Sequence, residues 1–275
     1  MPDRDSTTPL TALTIAGSDS GGGAGAQADL KTFAALGVHG ACALTAVTAQ
    51  NTAEVRGVVA LEPAFVRLQI ETVLDDLDVR GAKTGMLANA GVVAAVAAVA
   101  ARGVLPHLVV DPVLVTSSGH PLLEPEGVTA YLELLLPHAT VATPNLREAA
   151  VLGGPAVEEL ADLGARIEVA EKIRAVGPAW VVVKGGHLAD SADDVVAGPD
   201  GTVVLEGPRV ASGNDHGTGC TLSAATAANL ALGRSVPDAL AAAKAFVTQA
   251  LEGAAGWRLG TGHGPLDHFG WARHP

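Results

Sequence analysis

Short apolar runs, each stopped by glycine or a polar residue, alternate with helical stretches along most of this chain. They are Ala12–Ala16, stopped by Gly17-Ser18-Asp19; Ala41–Thr48, stopped by Gln50-Asn51; and Val79–Ala82, stopped by Lys83-Thr84-Gly85-Met86. His107–Val110 ends at Asp111-Pro112, another run ends at Thr143-Pro144-Asn145, and Trp180–Val183 ends at Lys184-Gly185-Gly186. Runs this short have strand length, whereas Gln27–Leu36, Pro63–Leu74 and Ala90–Ala101 have helical length. Such alternation predicts an α/β fold, a central mostly parallel sheet with helices on both faces. Ligands of such sheets bind beyond the carboxyl ends of the strands, where the polar punctuation falls. Asp194–Ala197 and Thr202–Leu205 read as a hairpin, and Thr218–Leu232 and Pro237–Glu252 as two closing helices.

With 275 residues and 48% hydrophobic content, the chain has enough apolar surface for one large core. Aromatics make up only 3%, so that core is built from Ala, Val and Leu. No linker or repeat divides residues 11–275, which predicts a single domain behind a polar, disordered leader at 1–10. A formal charge of −12 argues against nucleic acid or anionic membrane as a partner. Cys42 and Cys220 match no disulfide or metal framework, no secretory signal is visible, and Ala90–Ala101 is too short to span a bilayer. The expected location is cytoplasmic.

The densest chemical signal is Asn214-Asp215-His216-Gly217-Thr218-Gly219-Cys220 before a Ser/Thr/Ala-rich helix. A glycine turn at a helix start leaves backbone N–H groups unpaired at the positive end of the dipole, an anion site. Cys220 falls in the first turn, where that field favours its thiolate. A tight turn with a buried cysteine fits the same residues. His216 would cap the anion loop or be polar filler.

Gly21-Gly22-Gly23-Ala24-Gly25-Ala26 has the form of a dinucleotide fingerprint, but the second strand ends in Gln50-Asn51 without the ribose-binding acid. Leu30 stands where a P-loop needs glycine before Lys31. A loop that brings substrate close to the backbone explains these glycines better. Asn145 and Glu148 lie one helical turn apart and, with Asp111, offer hard oxygens suited to Mg²⁺; Asn145 and Glu148 suit a capping box equally. Lys184 at a strand end would neutralise phosphate or simply be solvated, and Lys83 is a weaker candidate of the same kind. His187, His263 and His268 show no metal spacing and read as structural.

In order along the chain, Gly17-Ser18-Asp19-Ser20-Gly21-Gly22-Gly23-Ala24-Gly25, Gln27-Ala28-Asp29-Leu30-Lys31, Thr48-Ala49-Gln50-Asn51-Thr52, Lys83-Thr84-Gly85-Met86-Leu87, Asp111-Pro112-Val113, Thr143-Pro144-Asn145, Lys184-Gly185-Gly186-His187 and His216-Gly217-Thr218-Gly219-Cys220-Thr221 resemble the hydroxymethylpyrimidine/phosphomethylpyrimidine kinases of thiamine biosynthesis. The resemblance runs from about residue 11 to Gly262-His263-Gly264-Pro265-Leu266 and implies a ribokinase-like three-layer sandwich. It implies two ATP-dependent phosphorylations, of 4-amino-5-hydroxymethyl-2-methylpyrimidine and then of its monophosphate.

Carried over by position, Gln50 and Asp29 would bond the aminopyrimidine, with Gly17, Thr48, Met86 and Val113 around the ring. Asp111 and Glu148 would organise Mg²⁺ through water. Lys184, Asn145 and His216 would meet ATP. Gly217, Thr218 and Gly219 would form the anion hole, and Cys220 would be the base. Asp215 stands where a neutral Thr is common and is expected to point outward. A homodimer is implied as well. Pyridoxal kinase of the same branch, a non-catalytic pyrimidine sensor and a nicotinamide-dependent reductase are the alternatives, the last weakened by Gln50-Asn51.

Overall fold

The computed structural model describes residues 8–115, 122–186, 188 and 191–271. Its sheet has nine strands: β1 (Thr11–Ser18), β2 (His39–Gln50), β3 (Val55–Ala60), β4 (Val79–Thr84), β5 (Val109–Val110), β6 (Val141–Ala142), β7 (Trp180–Val183), β8 (Asp194–Gly198) and β9 (Gly201–Leu205). The order is β3-β2-β1-β4-β5-β6-β7-β8-β9. Strands β2 to β7 in that order are parallel, and antiparallel strands extend both edges. The predicted hairpin is therefore β8 and β9. Strand β3 went unpredicted, because Val55-Arg56-Gly57-Val58-Val59-Ala60 is exposed throughout and lacks a buried alternation.

Side chains alternate between two helical layers with the period of the strands. Leu13, Ile15, Val110, Ala142, Val181 and Val183 meet α2 (Pro63–Asp76), α3 (Ala90–Ala100), α4 (Pro125–Ala130), α5 (Leu146–Gly153) and α6 (Leu163–Arg174). Ala12, Val109, Val141, Val182 and Val196 meet α1 (Gly25–Ala35), α7 (Thr218–Ala231) and α8 (Val236–Ala254). The three-layer expectation holds, and the alanine-rich composition explains its closeness. A Cβ on Gly81 of β4 would lie 2.7 Å from the carbonyl oxygen of Ala227, so α7 sits nearly on the sheet.

Strand order reverses around β1, whose neighbours are β2 and β4, and a crevice opens at such a point beyond the strand ends. Gly17 donates its N–H to Met86 O (3.2 Å) across that crevice, and Gly85 donates to Ile15 O (2.9 Å). Of the expected leader, residues 1–7 lie outside the described residues. Leu10 is already ordered by the sheet, since its carbonyl accepts from His39 N–H (2.8 Å).

Candidate active site

Helix α7 begins at the carboxyl ends of the strands because Gly217, at φ +90, turns the chain there. A Cβ on Gly217 would overlap the carbonyl oxygen of Gly23, so the anion turn and the first glycine loop are interlocked. Thr218 returns both its N–H (3.2 Å) and its hydroxyl (2.6 Å) to Asp215 O. Of the residues expected in the anion hole, Thr218 therefore has its N–H already engaged within the turn. Asp215 points outward as expected, its Oδ1 2.7 Å from Nδ1 of His263, and both side chains are at least half exposed.

Lys184 follows β7, and its N–H donates to Pro144 O (2.9 Å), which aligns it with the loop after β6. Its ammonium donates to Asp111 Oδ1 (2.8 Å), and a Cβ on Gly219 would lie 3.1 Å from the same nitrogen. The cation therefore stands between a buried carboxylate and the helix start. Burial lowers the Lys184 pKa, but Asp111 and Glu148 outweigh it and hold it above its usual value. Burial raises Asp111, and Lys184 and Lys83 reverse that and hold it low. Thr143 (3.2 Å) and Ser223 (3.3 Å) complete Asp111's partners. Sequence reading missed Ser223, although its place one turn after Gly219 was a signal for it.

Asn145 and Glu148 form a capping box at the start of α5: Glu148 N–H donates to Asn145 Oδ1 (3.0 Å) and Asn145 N–H to Glu148 Oε2 (2.8 Å). The capping alternative is thus realised, and it fixes Glu148 rather than removing it from the site. Glu148 is 3% exposed, and burial first, with Asp111 adding, pushes its carboxyl up to about 7 despite Lys184. Cys220 departs from expectation. Burial raises its thiol to about 11, outweighing the Lys83 cation and the Gly25 N–H that lower it. That N–H opens α1, so the sulfur faces the starts of two helices at once.

On the other side of the interlocked loops lie Gly17, Met86, Thr48 and Gln50. A Cβ on Gly17 would overlap Met86 Cε, so glycine opens room beside the thioether. Thr45 Oγ1 donates to Met86 O (2.6 Å), and Thr48 Oγ1 to Ser18 O (2.9 Å). Val113 is half-buried and bonds back to Asp111 O (2.9 Å).

Three expectations need correcting. Asp29 does not face the crevice: it is fully buried, bonded to Lys83 Nζ (2.9 and 3.0 Å) and Thr14 Oγ1 (2.6 Å). Lys83 is likewise interior to β4, not a strand-end phosphate ligand; burial opposes its charge, and Asp29 holds its pKa up. His216, expected at ATP, instead meets Asp19 (2.9 Å) and Gln50 (3.2 Å). His268 is structural, bonded to Thr221 Oγ1 (3.0 Å) and lowered to about 4 by burial and Lys31. His187 lies outside the described residues.

The arrangement is a glycine turn at a helix start, a lysine ammonium beside it and a glycine-walled crevice alongside. The family model described as phosphomethylpyrimidine kinase matches residues 19–267. This chain belongs to that family. The hydroxymethylpyrimidine/phosphomethylpyrimidine kinase of Streptomyces coelicolor is 49% identical over 265 residues, 96% of each chain. The phosphomethylpyrimidine kinase structure from Clostridium difficile superposes with a TM-score of 0.76 at 38% identity, covering 88% of this chain and 99% of that one. The ADP complex of Bacillus subtilis pyridoxal kinase superposes with a TM-score of 0.87, also at 38% identity, covering 97% and 100%. The fold is ribokinase-like, the chain is a phosphotransferase, and among the described residues no helix is long and apolar enough to cross a membrane.

Proposed function

We propose that the protein phosphorylates the hydroxymethyl oxygen of 4-amino-5-hydroxymethyl-2-methylpyrimidine with ATP, and then the monophosphate to the diphosphate, for thiamine biosynthesis. The observation that carries this reading is the Lys184 ammonium held by Asp111 beside the Gly219 turn. A fixed cation and helix-start N–H groups stabilise charge on a transferring phosphoryl group. The pyrimidine lies on the Gly17, Met86, Thr48, Gln50 and Val113 side, and ATP phosphates lie toward Lys184 and Asn145.

Asp111 and Glu148 would hold Mg²⁺ largely through water. Both carboxylates are buried, and Asp111 is near enough to push the Glu148 carboxyl up, so the two offer a pair of hard oxygen donors that suits an ion keeping waters and taking phosphate oxygens. When bound, it would neutralise phosphate charge. Cys220 accepts the hydroxymethyl proton in the first step, whereas the second acceptor, a phosphate, is already ionised and needs little base. One domain, residues 11–275, supplies both steps. A cytoplasmic homodimer completes the reading: its cysteines are free, and Val58, Val59, Phe65 and Leu68 offer exposed apolar surface.

A coupled ADP-release assay with the pyrimidine alcohol, its monophosphate and pyridoxal side by side tests the reading. Turnover of both pyrimidines above pyridoxal is expected. Preference for pyridoxal would replace the reading with the neighbours' activity, and no ADP from any of them would indicate a sensor.

A further inference from the structure

Asp19 has no part in the chemistry above, yet its buried carboxylate ties the two loops of the site together. Oδ1 accepts from Gly21 N–H (2.8 Å); Oδ2 accepts from Gly23 (3.1 Å), Ala24 (2.8 Å) and His216 Nε2 (2.9 Å). The backbone bonds shape the turn after β1. The His216 bond reaches across 197 positions to the residue before Gly217. Burial pushes the Asp19 carboxyl up, but His216 and the amides of Ala24 and Gly21 outweigh it and leave it below its ordinary value.

His216 has little freedom to leave this position. Its backbone N–H donates to Gly264 O (3.1 Å), and its ring is so close to the first loop that a Cβ on Gly23 would lie 2.6 Å from Cδ2. The same Nε2 also faces the Gln50 amide nitrogen at 3.2 Å. A ring nitrogen either donates a proton or accepts one. With its proton on Nε2, His216 donates to Asp19 and has no lone pair for the Gln50 amide. With the proton on Nδ1, it accepts from Gln50 and turns a lone pair toward the carboxylate. Gln50 and Asp19 thus compete for one atom.

We propose that this shared nitrogen couples the two substrate sites. When a pyrimidine edge takes the Gln50 amide, His216 is left to Asp19, and the anion turn is held against the Gly23 loop ready for the nucleotide. Asp19 and His216 are then positioning residues, acting through loop geometry and touching no reacting atom. The inference rests on the assignment of Gln50 to the pyrimidine.

Calorimetric titration with AMP-PCP and Mg²⁺, with and without saturating pyrimidine alcohol, measures the coupling, which is reciprocal between the two ligands. The wild-type protein is expected to bind each ligand roughly 5- to 20-fold tighter in the presence of the other. In His216→Ala the factor falls to about 1, while each single-ligand affinity changes by less than about threefold. His216→Phe, which keeps a ring without nitrogens, gives the same result and carries the test should the alanine variant not fold. No coupling in the wild type, or undiminished coupling in a folded variant, overturns the inference and leaves the pyrimidine assignment standing. If the alcohol does not bind, or binds Gln50→Ala as tightly as wild type, the assignment of Gln50 fails and the coupling fails with it.

Discussion

Nζ of Lys184 lies 2.8 Å from Oδ1 of Asp111, with only 12% of the lysine side chain and 2% of the aspartate's exposed. A pair this buried is unequal in its two roles. In the proposed reaction the lysine charge serves transfer, while each partner's desolvation makes the other's loss costly. Lys184→Met should lower kcat by about 10²–10³, the scale for losing one electrostatic contact to a transferring group. It should also destabilise the fold by roughly 3 kcal/mol, since Asp111 is left buried without its cation. Adding Asp111→Asn should recover much of that stability in urea unfolding but none of the activity. Additive losses in the double variant would show that the pair does not interact energetically.

Gly217 meets two separate constraints, a positive φ and the oxygen of Gly23. Gly217→Ala should therefore cost more than Gly103→Ala, where φ is +71 but nothing lies within 4 Å of the added carbon. The control isolates the backbone penalty of about 1 kcal/mol. Gly217→Ala should exceed it by at least about 2 kcal/mol and abolish turnover. Equal urea midpoints for the two variants would show that the loops yield to each other.

Cys220 is a thiol raised to about 11, chiefly by burial. At pH 7 only about one molecule in ten thousand would carry the thiolate. Where the thiolate is the base, kcat/KM for the pyrimidine alcohol should climb close to tenfold per pH unit from 7 to 9. The second phosphorylation should stay much flatter. Cys220→Ala should cut the first step by about 10²-fold or more and the second by less than about fivefold. Equal losses in both steps would remove Cys220 from the role of base. Cys220→Asp should restore the first step with a flat pH profile.

Lys83 and Asp29 form the deepest ion pair of the site, both side chains 0% exposed. If the pair is structural support, Asp29→Asn should destabilise by about 3–5 kcal/mol by stranding the lysine. Lys83→Met in the same chain should return most of that loss. KM for the pyrimidine alcohol should move little in the double variant. A large KM increase with normal unfolding would return Asp29 to the substrate.

The parallel sheet and the strand-end positions of Asp111, Asn145 and Lys184 were legible because strand and helix periods differ and polar stops fall where strands end. Strand β3 was not, since a strand exposed on both faces carries no alternation. The capping box was legible as one of two alternatives, and only packing showed that Glu148 is buried while capping. Lys83 was misplaced because a charge near a strand end reads as solvent-facing, and Asp29, on α1, because the resemblance assigned it to the substrate. Sequence gives no sign that these two side chains, 54 positions apart, neutralise each other. The rise of the Cys220 pKa was hidden in the same way: the helix start is visible in the sequence, whereas the burial that outweighs it is tertiary.

Glu148 supplies a pH test that needs no turnover. Its carboxyl stands at about 7 in the folded protein against an ordinary 4.5, raised first by burial and then by Asp111, with Lys184 opposing. A carboxyl whose pKa is raised by folding takes up its proton more readily in the folded state. Its favourable contribution is therefore complete below about pH 4.5 and is lost as pH rises through about 7. Glu148→Gln keeps an oxygen for the Asn145 N–H and removes this titration. Relative to that variant, the wild-type protein should lose on the order of 1–3 kcal/mol between pH 5 and pH 8 in urea unfolding. Mg²⁺ with AMP-PCP, by favouring the charged carboxylate, should narrow the gap at pH 8. Parallel pH profiles for the two proteins would show that Glu148 ionises at its ordinary pKa, and a gap that widens with Mg²⁺ and nucleotide would place the metal away from it.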